Sequence, residues 1–122
     1  MTADEKIQFI SPDYIYHEIH KHLPEIIQKT GITKQAAGKT LKNITKNVTF
    51  YAADDVPTHL FQEAVQIVRD IDIDDAPFVA LHLFKRHKIW TGDTALINGL
   101  KNKGYNICIT TQELRKKIYK SV

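Results

Sequence analysis

The stretch Asp70-Ile71-Asp72-Ile73-Asp74-Asp75-Ala76-Pro77-Phe78-Val79-Ala80-Leu81-His82-Leu83-Phe84, followed after Lys85-Arg86-His87-Lys88 by Ile89-Trp90-Thr91-Gly92-Asp93, decides the fold. An acidic loop enters a segment that is apolar nearly all round, so Ala76 to Phe84 is expected to be a buried helix, with Pro77 in its first turn. The β-rich run Ile89-Trp90-Thr91 reads as a strand, and Gly92 as the turn that ends it.

Outward from this centre, apolar runs alternate with amphipathic helices. Upstream, Leu60, Phe61, Ala64, Ile67 and Val68 recur at helical spacing from about Pro57, and Val48-Thr49-Phe50-Tyr51 is a strand. Thr33 caps a helix carrying Ala37, Leu41 and Ile44 on one face. Lys6-Ile7-Gln8-Phe9-Ile10 alternates like a strand, and Ser11-Pro12 reads as the cap and first residue of a helix with Ile15, Ile19, Leu23 and Ile26 inward. Pro24 is expected to break or kink that helix near Leu23, and Gly31 to end it. Downstream, a short helix runs to about Leu100 and Lys103-Gly104 turns the chain into the strand Ile107-Cys108-Ile109. Thr110-Thr111-Gln112-Glu113 has the form of a capping box for a last helix. Strands separated by helices of this length predict an α/β domain with right-handed crossovers, a mostly parallel sheet and helices on both faces, three layers in all. Ligands in such sheets bind beyond the carboxyl ends of the strands.

The chain has 122 residues, which fits one compact domain over 1–122. An apolar fraction of 43% and a charged fraction of 25% are globular values. The single cysteine, Cys108, excludes an internal disulfide and reads as packed core. No apolar run has the length of a membrane span, and Met1 to Lys6 lacks the apolar stretch of a secretion signal, so a cytoplasmic location is expected. The net charge of +3 is mild. Its positive part is concentrated late, in Lys85-Arg86-His87-Lys88, Lys101 with Lys103, and Arg115-Lys116-Lys117 with Lys120, where it marks either solvated helix ends or a phosphate-facing surface.

Acidic residues fall near the expected ligand edge. Asp93 follows a strand after one glycine. Asp72, Asp74 and Asp75 precede the buried helix, and Glu18 flanks the apolar stripe of the first helix. Carboxylates brought together repel, and a hard divalent cation such as Mg²⁺ or Mn²⁺ removes that repulsion. Taken singly, each has a blander reading: Asp74, Asp75 and Asp93 as helix caps, Glu18 as a surface charge. His17-Glu18-Ile19-His20-Lys21-His22 is not H-E-x-x-H, because Lys21 stands at the second histidine position. His82 reads as a packed, hydrogen-bonded residue. No phosphate-loop, dinucleotide or nucleophile-elbow motif is present. A receiver-like domain would need an aspartate directly after Tyr51, where two alanines stand instead.

The quoted stretch, with Leu96, Gly99-Leu100, Lys103-Gly104, Thr110 and Leu114 after it, resembles the C-terminal half of PIN domains. Ile10-Ser-Pro-Asp-Tyr-Ile-Tyr-His-Glu-Ile-His-Lys-His resembles the family's segment with its second acidic residue. The resemblance implies a Mg²⁺- or Mn²⁺-dependent ribonuclease that hydrolyses RNA phosphodiesters, of a kind often found as the toxin of a toxin–antitoxin pair. It assigns Glu18, Asp75 and Asp93 as catalytic metal-site acids and Asp72 as a further ligand, leaving Asp74 to cap the helix. It places Thr91 beside the last acid and brings RNA to Lys85, Arg86, Lys101 and Lys103. An antitoxin protein and a second copy of the chain are the protein partners it leaves open. Relative to the family, the chain starts at what looks like the second strand, without the first strand and its aspartate. An N-terminally truncated PIN-like domain is therefore the expected class, with an inactive protein- or RNA-binding remnant as the alternative.

Overall fold

The structure is a computed structural model, and it describes residues 8–120. The described chain forms two compact units, residues 8–53 and 54–120.

In the first unit, β1 (Phe9–Pro12) pairs in parallel with β2 (Val48–Tyr51), in the register Phe9 with Val48 through Pro12 with Tyr51. The crossover is helical: α1 (Tyr14–Thr30), then α2 (Lys34–Lys46). Thr33 caps α2 as expected, its Oγ1 accepting the Ala36 N–H at 3.0 Å, and Gly31 ends α1 at φ 72°. Ala37 and Leu41 of α2 are buried. One expectation fails and another is narrowed, since Pro24 causes no break. Ser11 and Pro12 belong to β1, not to the helix, and the Asp13 N–H continues the ladder to the Tyr51 carbonyl at 2.9 Å. Pro24 does not end α1, which runs on to Thr30; Pro24 is exposed, where water can solvate the carbonyl it leaves without a donor. The part of the first expected strand before Gln8 lies outside the described residues.

The second unit is built around α3 (Thr58–Val68) and α4 (Ala76–Lys85). Ala64, Ile67 and Val68 of α3 are buried, as are Ala76, Val79, Ala80, Leu81 and Leu83 of α4. Apolar residues on successive turns of both helices leave little choice but to bury them together. The parallel pair β3 (Ile89–Trp90) and β4 (Cys108–Ile109) follows, with α5 (Thr94–Asn102) between the strands and α6 (Thr111–Lys120) after them. Backbone bonds from Ile89 N–H to the Ile107 carbonyl and from Thr91 N–H to the Ile109 carbonyl carry the ladder one residue before β4 and one residue past β3. Strand pairing is parallel throughout the described residues, so the α/β class holds. Among the described residues no helix is long and apolar enough to cross a membrane.

The Thr110–Glu113 capping box forms reciprocally: Glu113 Oε1 accepts the Thr110 N–H at 3.1 Å, and Thr110 Oγ1 accepts the Glu113 N–H at 3.2 Å. Leu100 is fully buried. One helical turn of glycine contact is equally tight: a Cβ on Gly99 would stand 2.8 and 2.9 Å from Ile71 Cδ1 and Cγ1. A Cβ on Gly38, in the middle of α2, would meet nothing within 4 Å.

These two helical glycines should respond with opposite sign. Gly38→Ala is expected to stabilise by roughly 0.5–1 kcal/mol through lost unfolded-state freedom. Gly99→Ala gains the same propensity but must displace the Ile71 side chain, for a net destabilisation on the order of 1 kcal/mol. Urea denaturation of both variants checks this; stabilisation by Gly99→Ala would contradict the packing against Ile71.

Candidate functional site

The acidic approach to α4 is shaped by which aspartate can cap. Asp72 has extended backbone (φ −160°, ψ 110°), and its Oδ1 accepts the Asp74 N–H at 3.0 Å, opening a 3₁₀ turn over Ile73–Asp75. That turn runs straight into α4, so Asp75 already has helical dihedrals (φ −85°, ψ −2°) when α4 begins. A capping side chain needs β-region backbone to fold back on the first turn. Asp75 therefore stands at the N-cap position without a side-chain capping bond. Asp74, expected as the cap, is not one; Asp72 caps in its place, two residues earlier.

The consequence is a stranded oxygen. Asp75 Oδ2 is shut off from solvent and has no hydrogen-bond partner. Burial pushes the Asp75 carboxyl above its usual range, and Asp72, Asp93 and Asp74 push it further. A buried polar atom without a partner is costly and uncommon, and such groups concentrate at functional sites.

Asp93 reaches this field from the carboxyl end of β3. The Thr91 hydroxyl accepts the Asp93 N–H at 3.0 Å, and Asp93, in β-region backbone, accepts the Leu96 N–H at 3.2 Å as the N-cap of α5. The blander reading of Asp93 is thus realised, through Oδ1 alone. Asp72 likewise spends Oδ1 on its cap. Both residues are exposed, and each carboxylate has a second oxygen outside the cap. Among the described residues no three His, Cys, Asp or Glu side chains are yet gathered closely enough to enclose a metal ion. An ion at Asp75 would have to draw the exposed Asp72 and Asp93 side chains inward.

The donor set fits a hard cation. It offers carboxylate oxygen only, with one oxygen desolvated and unpartnered, and Mg²⁺ or Mn²⁺ answers that chemistry. Cys108 borders the group: burial, then Asp75, raises its thiol, so it is a neutral half-buried side chain rather than a nucleophile or soft ligand. Lys101 acts in the opposite direction on Cys108.

The remaining expected site residues are held by other elements. Glu18 belongs to α1 in the first unit, half-exposed, 3.5 Å from His22 Nε2. Lys103 is committed to the fold: its ammonium bonds to the Ile67 carbonyl at 2.6 Å and pairs with Asp70. Lys85 and Arg86 are at the far end of α4, and ten helical residues carry them about 15 Å from Asp75. Arg86 takes a left-handed conformation (φ 61°) to close that helix. His82 is hydrogen-bonded as expected, Nδ1 donating to the His87 carbonyl at 2.6 Å. Trp90 is 54% exposed beside a buried Ile89, an alternation that a two-residue strand is too short to display in the sequence.

The family model described as the PIN domain matches residues 1–118. Neither the curated proteins nor the solved structures give a match. With nearly the whole length matched, the chain belongs to the PIN domain family, a family of nuclease-type domains.

Proposed function

We propose that the chain is a Mg²⁺- or Mn²⁺-dependent endoribonuclease of PIN type, with Asp75, Asp93 and Asp72 as its metal-site carboxylates. The observation that carries this reading is the desolvated, unpartnered Asp75 Oδ2 in the field of Asp72, Asp93 and Asp74. A divalent ion, when bound, supplies polarisation of a phosphodiester and acidifies a water beside it. The protein's own part is to hold Asp75 dry and in fixed geometry at the start of α4. Asp93 is steered by the Thr91 hydroxyl and Asp72 by its turn. Lys101 supplies positive charge for a phosphate, with Lys85 and Arg86 as more distant backbone contacts. Lys103 enters only if it leaves its Asp70 pair. Glu18 is assigned as a further acid solely on the resemblance of the Ile10–His22 segment. A toxin role with an antitoxin partner, and a cytoplasmic setting, extend the same family-based reading.

RNA cleavage with Mn²⁺, against the same reaction in EDTA, tests this. Asp75→Asn and Asp93→Asn are each expected to lower the rate at least about a hundredfold, and Glu18→Gln to lower it substantially. Cleavage that survives Asp93→Asn or EDTA unchanged would sink the mechanism. Mn²⁺ binding by calorimetry that does not depend on Asp75 would favour a non-catalytic binding module instead.

Stability should carry the same signature. A carboxyl raised in the folded state favours its protonated form there, so the folded protein loses stability as pH climbs through the ordinary value of 3.8, and the loss is complete above the raised folded value. In EDTA, Asp75→Asn is therefore expected to melt higher than the parent at pH 7, and this advantage should vanish in acid below 3.8. Mn²⁺ should raise the parent's melting temperature and leave the Asn variant nearly unmoved. A variant less stable than the parent at pH 7, or equally responsive to Mn²⁺, would contradict the role of Asp75.

A further inference from the structure

The acidic run is clamped at its entrance by a residue from another helix. Lys103 closes α5, and its ammonium donates to the Ile67 carbonyl at 2.6 Å and pairs with Asp70. Ile67 sits in the last turn of α3, where carbonyls lack helical donors. A cation there meets both an open acceptor and the negative end of the helix. From Asp70 the chain turns on Val68, whose carbonyl accepts the N–H groups of Ile71 and Asp72, each at 2.8 Å. α5 grips this turn a second time, because Ile71 Cδ1 stands 2.8 Å from the point a Cβ on Gly99 would occupy. Gly99 and Lys103 are four residues apart and so share one face of the helix.

Little slack separates this clamp from the acids. Asp72 Oδ1 accepts the Asp74 N–H at 3.0 Å, the Asp72 carbonyl accepts the Asp75 N–H at 3.1 Å, and α4 starts at once. At its other end α5 is capped by Asp93. The helix is therefore a strut between two acidic segments, with Asp93 at its start and the loop from Asp70 held at its close. The ion pair itself is open to solvent, Asp70 being 64% exposed, so it contributes little to global stability. Its effect is directional: it sets where the chain leaves α3, and with that where the turn bearing Asp72 and Asp75 begins.

We propose that Lys103 is a positioning residue for the metal-site acids, setting the Asp72–Asp75 turn through Asp70 and the Ile67 carbonyl. This rests on the metal-site reading of Asp75 and adds a residue to it. The sign of one effect separates positioning from charge. Removing a cation tightens a divalent ion if charge alone acts, whereas lost positioning loosens it. In calorimetry of the full chain, Lys103→Met is expected to weaken Mn²⁺ binding roughly ten- to a hundredfold. Gly99→Ala changes no charge and displaces Ile71, and should weaken binding in the same direction; it carries the test alone if Lys103→Met fails to fold. In EDTA, amide exchange in Lys103→Met should quicken at Ile71, Asp72 and Asp74, while the buried Val79, Ala80 and Leu81 of α4 keep their protection. Protection lost equally along α4 would make the role merely structural and overturn the proposal. So would Mn²⁺ affinity unchanged or tightened in the folded variants; weaker RNA binding in EDTA alongside it would make Lys103 a phosphate contact instead. Asp75-dependent Mn²⁺ binding in the parent, indifferent to Lys103 and Gly99, would overturn the positioning alone. Parent binding that does not depend on Asp75 would overturn the metal-site reading as well.

Discussion

A helix that must be buried on nearly every side cannot begin with a solvated charge, yet α4 begins at Asp75. Ala76, Val79, Ala80, Leu81 and Leu83 all lie inside the second unit. The 3₁₀ turn that delivers the chain to Ala76 leaves Asp75 in helical backbone, unable to satisfy its carboxylate on its own helix. Leaving a buried polar atom unsatisfied costs on the order of 1–3 kcal/mol, and more for a charged group. The packing of the core thus creates the electrostatic problem at its rim.

The neighbouring elements sharpen that problem instead of relieving it. Parallel pairing of β3 with β4 puts the Asp93 turn and the α6 capping box at the same strand ends. Asp72 and Asp93 serve as caps, and both raise Asp75. Lys103 is spent on Asp70 and the Ile67 carbonyl. A fold selected for stability alone would place a cation or a hydrogen-bond donor at Asp75 Oδ2. A family of nuclease-type domains gives a reason for withholding one.

Much of this was legible in the residues. Periodicity located the helices, and Gly31, Thr33 and the Thr110–Glu113 box marked their ends, because each of those signals acts over three or four residues. The parallel pairing followed from the helical connections. What failed depended on context that periodicity does not carry. Ser11-Pro12 has the letters of a helix start, but ladder bonding continues through Asp13 to Tyr51 and delays the helix. Pro24 reads as a breaker and is tolerated in the helix at an exposed position. In the acidic run the letters could not say which aspartate caps; backbone angle decides, and only Asp72 is extended. Charge counting groups Lys101 with Lys103, although tertiary contact makes Lys103 a structural anchor. The prominence of Trp90 was likewise hidden in a strand too short to display its alternation.

Asp75 is a carboxyl held above its ordinary titration range by burial and by its acidic neighbours. Carboxyl ¹³C NMR of the aspartate side chains, followed through a pH titration first in EDTA and then with Mg²⁺, measures it directly. The expected result is an Asp75 midpoint above the ordinary 3.8 without the ion, falling when Mg²⁺ is added. An ordinary midpoint in EDTA, or a raised one indifferent to Mg²⁺, would contradict it.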